Sequence, residues 1–389
     1  MKEVYIISGC RTPIGKTGGK LKEFPPEKLA AHVLNESIQA QNLKASAVDK
    51  VYLGNSVGPG GNLARLSVLE AGWSYSIPAT TIDFQCGSGL KTINLAAAEI
   101  ASGQKDLIIA GGTESTSLEP RKQLHQNDPR FSCETKFLQR GIFSPESIGD
   151  PDMGITAENL AQVDDISRKK MDQWALKSHQ RAYQAQQNNL LKDIIAPLKT
   201  EEKIISNDEG IRANLKLKLL ERLQPAFKED GKITAGNACL THDGAAVIIL
   251  ASKEAITKYN LTPVAKFITG VEVGVNPHYA PLGAVVAIKK LLKQQDLSTT
   301  EIDCFEINEA FAVKIITALE KLNLAEAKLN IFGGALAYGH PYAASGTIIL
   351  LHLITALKYQ QTNLGIATLG VAGGQGIATL IERCDQNYY

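Results

Sequence analysis

An internal repeat constrains this 389-residue chain more than any other feature of its sequence. The run Val48-Asp-Lys-Val-Tyr-Leu-Gly-Asn55 returns as Ile302-Asp-Cys-Phe-Glu-Ile-Asn-Glu309, an offset of 254 residues. The same offset carries Cys86 onto His340. Each of these residues starts a glycine-bearing turn ahead of an apolar stretch: Cys86-Gly-Ser-Gly89 before Leu90, and His340-Pro-Tyr-Ala-Ala-Ser-Gly346 before Thr347. In both places a run closing on paired glycines follows, Leu107-Ile-Ile-Ala-Gly-Gly112 and Gly365-Ile-Ala-Thr-Leu-Gly-Val-Ala-Gly-Gly374. Self-similarity of this kind indicates one structural unit used twice, the copies burying their apolar faces together.

The unit reads as α/β. Short β-rich runs bounded by Gly, Pro or Asn predict strands at 4–8, 51–53, 107–110, 247–251, 264–268, 304–307 and 366–369. Between them, Leu90, Ile93, Ala97 and Ile100 keep the three-and-four spacing of one helix face, and the apolar run 348–353 predicts a helix buried on several sides. Alternating strands and helices make an α/β fold. The polar stretch 119–242 has no counterpart in the second copy and reads as an insertion, with Ser167 placed to cap a helix carrying Trp174 and Leu176. The expected division is therefore a first half of 1–118 plus 243–262, an inserted domain of 119–242 and a second half of 263–389.

Composition removes several functional classes. Lys and Arg total 41 against 40 Asp and Glu, a net charge of +1, without the basic surplus of a nucleic-acid binder. With 44% hydrophobic residues, the chain can bury a large core, and its length exceeds what one core usually supports. The six cysteines are scattered, with no CxxC and no His/Cys ligand spacing, so neither a disulfide framework nor a metal site is expected. Met1 to Cys10 is too weakly apolar for a signal peptide, and no segment approaches 18 consecutive apolar residues, so a cytoplasmic location, reduced thiols and no membrane partner are expected.

Two glycine-rich stretches are decoys. Gly9-Cys-Arg-Thr-Pro-Ile-Gly15-Lys16-Thr17 has five residues where a phosphate loop has four, and Pro13 lacks an N–H. Gly370-Val-Ala-Gly-Gly-Gln-Gly376 does not match the dinucleotide fingerprint. Cys86 is different. Between Asp83-Phe-Gln and Gly87-Ser-Gly, at a strand-to-helix turn, its sulfur is expected to face backbone N–H groups and the positive end of a helix, which lowers a thiol pKa. His340 stands at the equivalent turn of the other copy, before a proline suited to the first helical position. If the copies pack about a pseudo-twofold axis, both turns face one crevice and a Cys–His pair follows. His32, His125, His179, His278 and His352 lack such surroundings and are expected to be structural or solvent-facing.

On these residues the chain resembles the thiolases over essentially its whole length. The shared motifs, in order, are Arg11-Thr-Pro-Ile-Gly15, Cys86-Gly-Ser-Gly89, Met153-Gly-Ile-Thr-Ala-Glu-Asn159, Gln224-Pro-Ala-Phe227, Thr234-Ala-Gly-Asn-Ala238, Asn308-Glu-Ala-Phe311, Gly333-Gly-Ala335, Gly339-His-Pro341 and Gly373-Gly-Gln-Gly376. The resemblance implies two βαβαβαββ halves in a five-layered α/β/α/β/α core, with an inserted loop domain that contacts coenzyme A. It implies no permanently bound cofactor, coenzyme A thioesters as substrates, and a homodimer or tetramer. It also implies that Cys86 is acylated by acetyl-CoA or a 3-ketoacyl-CoA. His340, with a water held by Asn308, would form one oxyanion hole, and the N–H groups of Cys86 and Ala372 the other. Arg212 falls where thiolases meet the nucleotide end of coenzyme A. Charge does not reveal that site, since 199–232 holds eight basic and seven acidic residues.

The pattern also breaks. Thiolases carry a second catalytic cysteine in a Cys-x-Gly element; here the cysteine position is Gly370 and the glycine position Ala372. Cys239 stands where a serine is usual, and Ala280-Pro-Leu-Gly283 where Met-Gly-x-Gly is common; both border the expected acyl and pantetheine path. Loss of a positioned acid or base costs roughly 10² to 10⁴ in rate. The expectation is therefore an acyltransferase whose Cys86 still acylates, with the carbon–carbon step slowed or left to water in the space at Gly370. Transfer of the acyl group to an acceptor other than coenzyme A, and a non-catalytic acyl-CoA-binding scaffold, are the competing readings.

Overall fold

A computed structural model describes residues 1–134, 137–201 and 203–384. Nine main strands, β1 (Val4–Arg11), β2 (Lys50–Gly54), β3 (Ala79–Ile82), β4 (Leu107–Glu114), β5 (His242–Ala251), β6 (Ala265–Gly274), β7 (Cys304–Ile307), β8 (Leu364–Val371) and β9 (Gln375–Arg383), follow one hydrogen-bonded path. Its order is β7-β8-β9-β6-β1-β5-β4-β2-β3. The principal helices are α1 (Pro26–Gln39), α2 (Leu63–Glu70), α3 (Ser88–Ala101), α4 (Met153–Val163), α5 (Arg168–Gln187), α6 (Gly283–Gln295), α7 (Ala312–Leu322) and α8 (Tyr342–Gln360).

The duplication read from the sequence is present in the strand pairing. β2 runs parallel to β3 and β4, as β7 does to β8, and the pairs along β4-β5-β1 and β8-β9-β6 are antiparallel in the same order. Val51 pairs with Ala79 in the first half; 254 residues later, Phe305 pairs with Leu329 in a single parallel bridge, the remnant of a fifth strand. Three residue pairs between β1 and β6, from Val4↔Phe267 to Ile6↔Ala265, join the halves.

Alternation along the strands builds the layers. Ile108 and Ala110 of β4, Ile248 and Leu250 of β5, and Leu369 and Val371 of β8 pack on Leu90, Ile93 and Ile100 of α3 and on Ile348 to Leu357 of α8. The alternate residues Ile109, Val247 and Ile249 face Leu29, Val33 and Leu34 of α1, and Ile366 faces the cluster holding α6 and α7. Side chains of period two, apolar on both faces, are what a sheet covered on both sides requires. The result is the five-layered α/β/α/β/α fold, with α3 and α8 as the middle layer. α8 is long and apolar enough to cross a membrane by length and composition, but 72% of that stretch is buried inside the fold.

The predicted strands are found, with extended ends. β5 begins five residues before the predicted 247, and β6 runs to Gly274 rather than 268. β3 and β9 were not predicted: β9 follows two glycines and ends in Glu-Arg, so it reads locally as a loop. Ser167 caps α5 as expected, its hydroxyl accepting from the Lys170 N–H, and Trp174 is buried.

Candidate active site

Cys86 is half-buried on the turn between β3 and α3. The turn is held locally. Gln85 takes φ +47, a left-handed conformation rare for a side-chain-bearing residue, while the Ser88 hydroxyl accepts from the Phe84 N–H at 2.8 Å and donates to the Gln85 carbonyl at 2.6 Å. His340 lies ahead of α8, which starts at Tyr342, one residue later than the proline signal suggested. The two helices meet at backbone distance: a Cβ on Gly89 would stand 2.5 Å from the Ala343 carbonyl oxygen. α3 and α8 therefore pack through the segments that follow the Cys86 and His340 turns.

The His340 ring is buried and fixed at both nitrogens. Nδ1 lies 2.6 Å from the Ser345 Oγ and Nε2 lies 3.5 Å from the Asn308 Nδ2. With the amide N–H directed at Nε2, that nitrogen is the lone-pair side and Nδ1–H donates to Ser345. Burial first, then the Lys314 ammonium and His242, depresses the His340 pKa to about 3. Asn308 Oδ1 is buried without a partner among the described residues, leaving an acceptor beside the imidazole. His242, which the sequence did not single out, lies against His340: its Nδ1 is 3.3 Å from the His340 backbone nitrogen and 2.8 Å from the Leu240 carbonyl oxygen, and its ring fills the space that a side chain on Gly339 would need.

One expectation is reversed. The helix end was expected to lower the Cys86 pKa, but burial dominates and raises it to about 12, with the Lys314 ammonium the strongest opposing influence. Thiol and imidazole are therefore both neutral at rest, and a thiolate requires proton transfer when substrate arrives. Cys239 lies close enough to interact with Cys86; burial first, then Cys86, holds its thiol at about 12. The Cys239 N–H donates to the Ala310 carbonyl at 2.9 Å, and the Ala312 N–H to the Asn237 carbonyl at 2.8 Å, clamping this strip on the start of α7. Lys314, also missed, is buried in the first turn of α7; its only sequence signal is a lysine inside the apolar run 312–319.

Ala372 is buried at the turn between β8 and β9. The preceding Val371 reaches the Cys86 turn, since a Cβ on Gly87 would lie 2.8 Å from Val371 Cγ2. Gly370 does not leave the open slot expected of it. Its Cβ position is 3.0 Å from the Ala280 carbonyl oxygen and 3.2 Å from that of Pro281, so the backbone of 280–281 has closed on the strand. Arg212 is exposed, and its N–H donates to His179 Nδ1 at 3.1 Å. With Lys16, His179, Leu240 and His242 it lines one cleft, so the surface cation and the His242 ring border the same space. Nearby, Arg11, wholly buried, makes a bidentate pair with Asp208 at 2.7 and 2.8 Å, tying β1 to the segment that carries Arg212.

Comparison with known proteins agrees with this architecture. Residues 4–254 match the model of the thiolase N-terminal domain and 261–383 that of the thiolase C-terminal domain. A Staphylococcus epidermidis protein, provisionally named acetyl-CoA C-acetyltransferase VraB, is 40% identical over 383 residues, covering 98% of this chain and 99% of the relative. The crystal structure of the Bacillus anthracis acetyl-CoA acetyltransferase superposes with a TM-score of 0.91 at 36% identity over 99% of both chains. Human mitochondrial 3-ketoacyl-CoA thiolase in complex with CoA gives 0.92 at 34% identity, over 99% of this chain and 98% of that one. Two matched domain models end to end, and relatives of this similarity over the full fold, establish that the chain belongs to the thiolase family.

Proposed function

We propose that the protein is a thiolase-type acyltransferase that acts on acetyl-CoA or 3-ketoacyl-CoA through an acyl-Cys86 intermediate. What supports this reading is the backbone approach of Gly89, three residues after Cys86, to Ala343, three residues after His340, together with the 2.6 Å contact of His340 Nδ1 with Ser345 Oγ. In the proposed step, His340 Nε2 takes the thiol proton as Cys86 Sγ attacks the acyl carbon. The N–H groups of Cys86 and Ala372 hold the developing oxyanion, while His340 and Asn308 polarise the thioester carbonyl of the second substrate. Donors fixed in advance in a buried site favour the charged transition state over the neutral substrate.

The polar segment 119–242, inserted into the first half, is proposed to take coenzyme A, with Arg212 and Lys16 at its anionic end and Cys239 along the pantetheine path. Division into 1–118 plus 243–262, 119–242 and 263–389 follows from that reading. Assembly as a homodimer or tetramer is supported by β3, which ends the sheet beside the exposed Leu66, Leu69 and Tyr75, an edge that two-fold pairing would cover. A cytoplasmic location belongs to the same proposal.

The test is mass spectrometry of the protein after exposure to acetyl-CoA. One acetyl group on the peptide containing Cys86, absent in Cys86→Ala and strongly slowed in His340→Ala, is the expected result. A wild-type protein that binds acetyl-CoA without ever acylating would overturn the reading and leave a binding scaffold.

A further inference from the structure

Glu114 ends β4 as a wholly buried side chain, and the steps set out above give it no part. Four N–H groups converge on it. Oε1 accepts from Asn55 Nδ2 at 2.8 Å and from the Val57 N–H at 3.2 Å. Oε2 accepts from the Ser56 N–H at 3.1 Å and from the Ala343 N–H at 3.3 Å. All four groups can only donate, so a carboxylate satisfies every one of them and an O–H or an amide NH₂ on the same atoms would not. The loop that follows β2 and the first turn of α8 are thereby held on one carboxyl group.

On the loop side the network reaches the Cys86 peptide. Ser56 Oγ donates to the Gln85 carbonyl at 3.1 Å, beside the Ser88 hydroxyl, which donates to it at 2.6 Å. That carbonyl and the Cys86 N–H belong to one planar trans peptide group and point in opposite directions. Holding the oxygen therefore aims the N–H. With Gln85 at φ +47, the surroundings must supply that hold. On the helix side, Ala343 lies three residues after His340 and two before Ser345, the contact of His340 Nδ1. Ala343 is gripped at both ends. A Cβ on Gly89 or Gly112 would stand 2.5 or 2.0 Å from its carbonyl oxygen, while its N–H donates to Glu114. Pro341, at the N-cap of α8, has no side chain able to cap the helix, and the Glu114 carboxyl serves there from another element.

Resting on the reading of Cys86 as the acylated residue, we propose that Glu114 is a positioning residue that, through Ser56 and Ala343, fixes the Cys86 N–H and the segment carrying His340 relative to one acyl group. It touches neither substrate nor reacting atoms. Its contribution is the orientation of the N–H that meets the oxyanion, and loss of one such donor costs about 10² to 10³ in rate.

Glu114→Gln keeps the shape but turns an NH₂ toward one of the two pairs of donors. Ser56→Ala leaves Glu114 in place and removes only the hydroxyl from the Gln85 carbonyl. Burial raises the Glu114 pKa to about 8, against the N–H groups of Val57, Ser56 and Ala343, so both variants are compared with wild type at pH 9, where the carboxylate predominates. Single-turnover acetylation of Cys86 by acetyl-CoA, quenched and read by mass spectrometry, separates the rate constant, the final extent and the acetyl-CoA concentration at half-maximal rate. The rate constant is expected to fall about 100-fold in Glu114→Gln and about 10-fold in Ser56→Ala, with full extent and an unchanged half-saturating concentration. A merely structural role would lower the extent or the melting temperature and leave the rate constant of the folded molecules alone. Alkylation of Cys86 by iodoacetamide develops no oxyanion, so Ser56→Ala should alkylate at the wild-type rate. A Glu114→Gln rate constant within threefold of wild type overturns the proposal. Should that variant fail to fold, Ser56→Ala decides: a rate constant within threefold of wild type, or alkylation slowed in step with acetylation, overturns it equally. Absence of acetyl-Cys86 from the wild type instead overturns the underlying function, so the two failures are told apart.

Discussion

Gly339 and His242 occupy one another's space: a Cβ on Gly339 would stand 2.2 Å from the imidazole Cδ2 of His242. Gly339 also holds φ +112, a conformation that side-chain-bearing residues rarely adopt. Strain of that kind costs about 1–3 kcal/mol before the clash is counted. Gly339→Ala should therefore lower the urea midpoint and displace His340, slowing Cys86 acylation. A double-mutant cycle with His242→Ala checks the cause. The clash should be relieved in the double variant while the strain persists, so partial recovery is expected.

Ser345→Ala removes the acceptor that fixes the His340 tautomer. The ring keeps its Asn308 neighbour at Nε2 but leaves a buried Nδ1–H unpaired, a loss of about 1–3 kcal/mol. Acylation measured by stopped quench and mass spectrometry should fall about 10- to 100-fold, and Ser345→Thr should recover part of it.

His352 sits within α8, its ring 5.1 Å from Tyr338, and its Nε2 has no partner among the described residues. Burial, then Arg11, depresses its pKa well below 6.5. The unfolded chain thus binds a proton below pH 6.5 that the folded chain refuses, so stability is present above that pH and is lost as pH falls. His179, depressed to about 4, and His340, depressed to about 3, act in the same direction. His352→Leu should flatten the decline of the unfolding free energy from urea titrations as pH falls from 6.5 to 5, by an amount that approaches about 1.4 kcal/mol per pH unit at the low end. An unchanged slope would place the acid sensitivity elsewhere.

Restoring a side chain at Gly370 should not improve the enzyme. The Cβ of Gly370→Cys would press on the carbonyls of Ala280 and Pro281 at 3.0 and 3.2 Å, and overpacking of that order costs about 1–3 kcal/mol. A lower melting temperature and no gain in acetoacetyl-CoA cleavage are expected. Faster cleavage in this variant would mean that the 280–281 segment yields easily and that a thiol at this position is still useful.

Much of this molecule was legible in its sequence. The offset that turns Val51 into Phe305 predicted two copies, and the copies do share strand order and the Val51↔Ala79, Phe305↔Leu329 pairing. The packing of α3, which follows Cys86, on α8, which follows His340, followed from the same offset. Less legible was anything decided by burial rather than by local pattern. The helix end at Cys86 argued for an acidic thiol, but desolvation outweighed it. Lys314 drew no reading from the sequence, and only the fold shows it buried in the first turn of α7. β9 was missed because its glycines signal a turn locally, whereas pairing with β6 and β8 on both sides makes it a central strand.

At the centre of the molecule, α3 and α8 touch through main-chain atoms. Positions for a Cβ on Gly89, Gly112 and Gly346 all lie 2.0 to 2.5 Å from backbone atoms of the facing segment. The gauge between the cysteine turn and the histidine turn is therefore set by peptide groups and not by rotamers. Outer-layer residues around α1, α6 and α7 can drift in size without altering it. The chemistry can then diverge through side chains beside the two turns, such as those at 239 and 242, while the backbone contact between α3 and α8 stays constant.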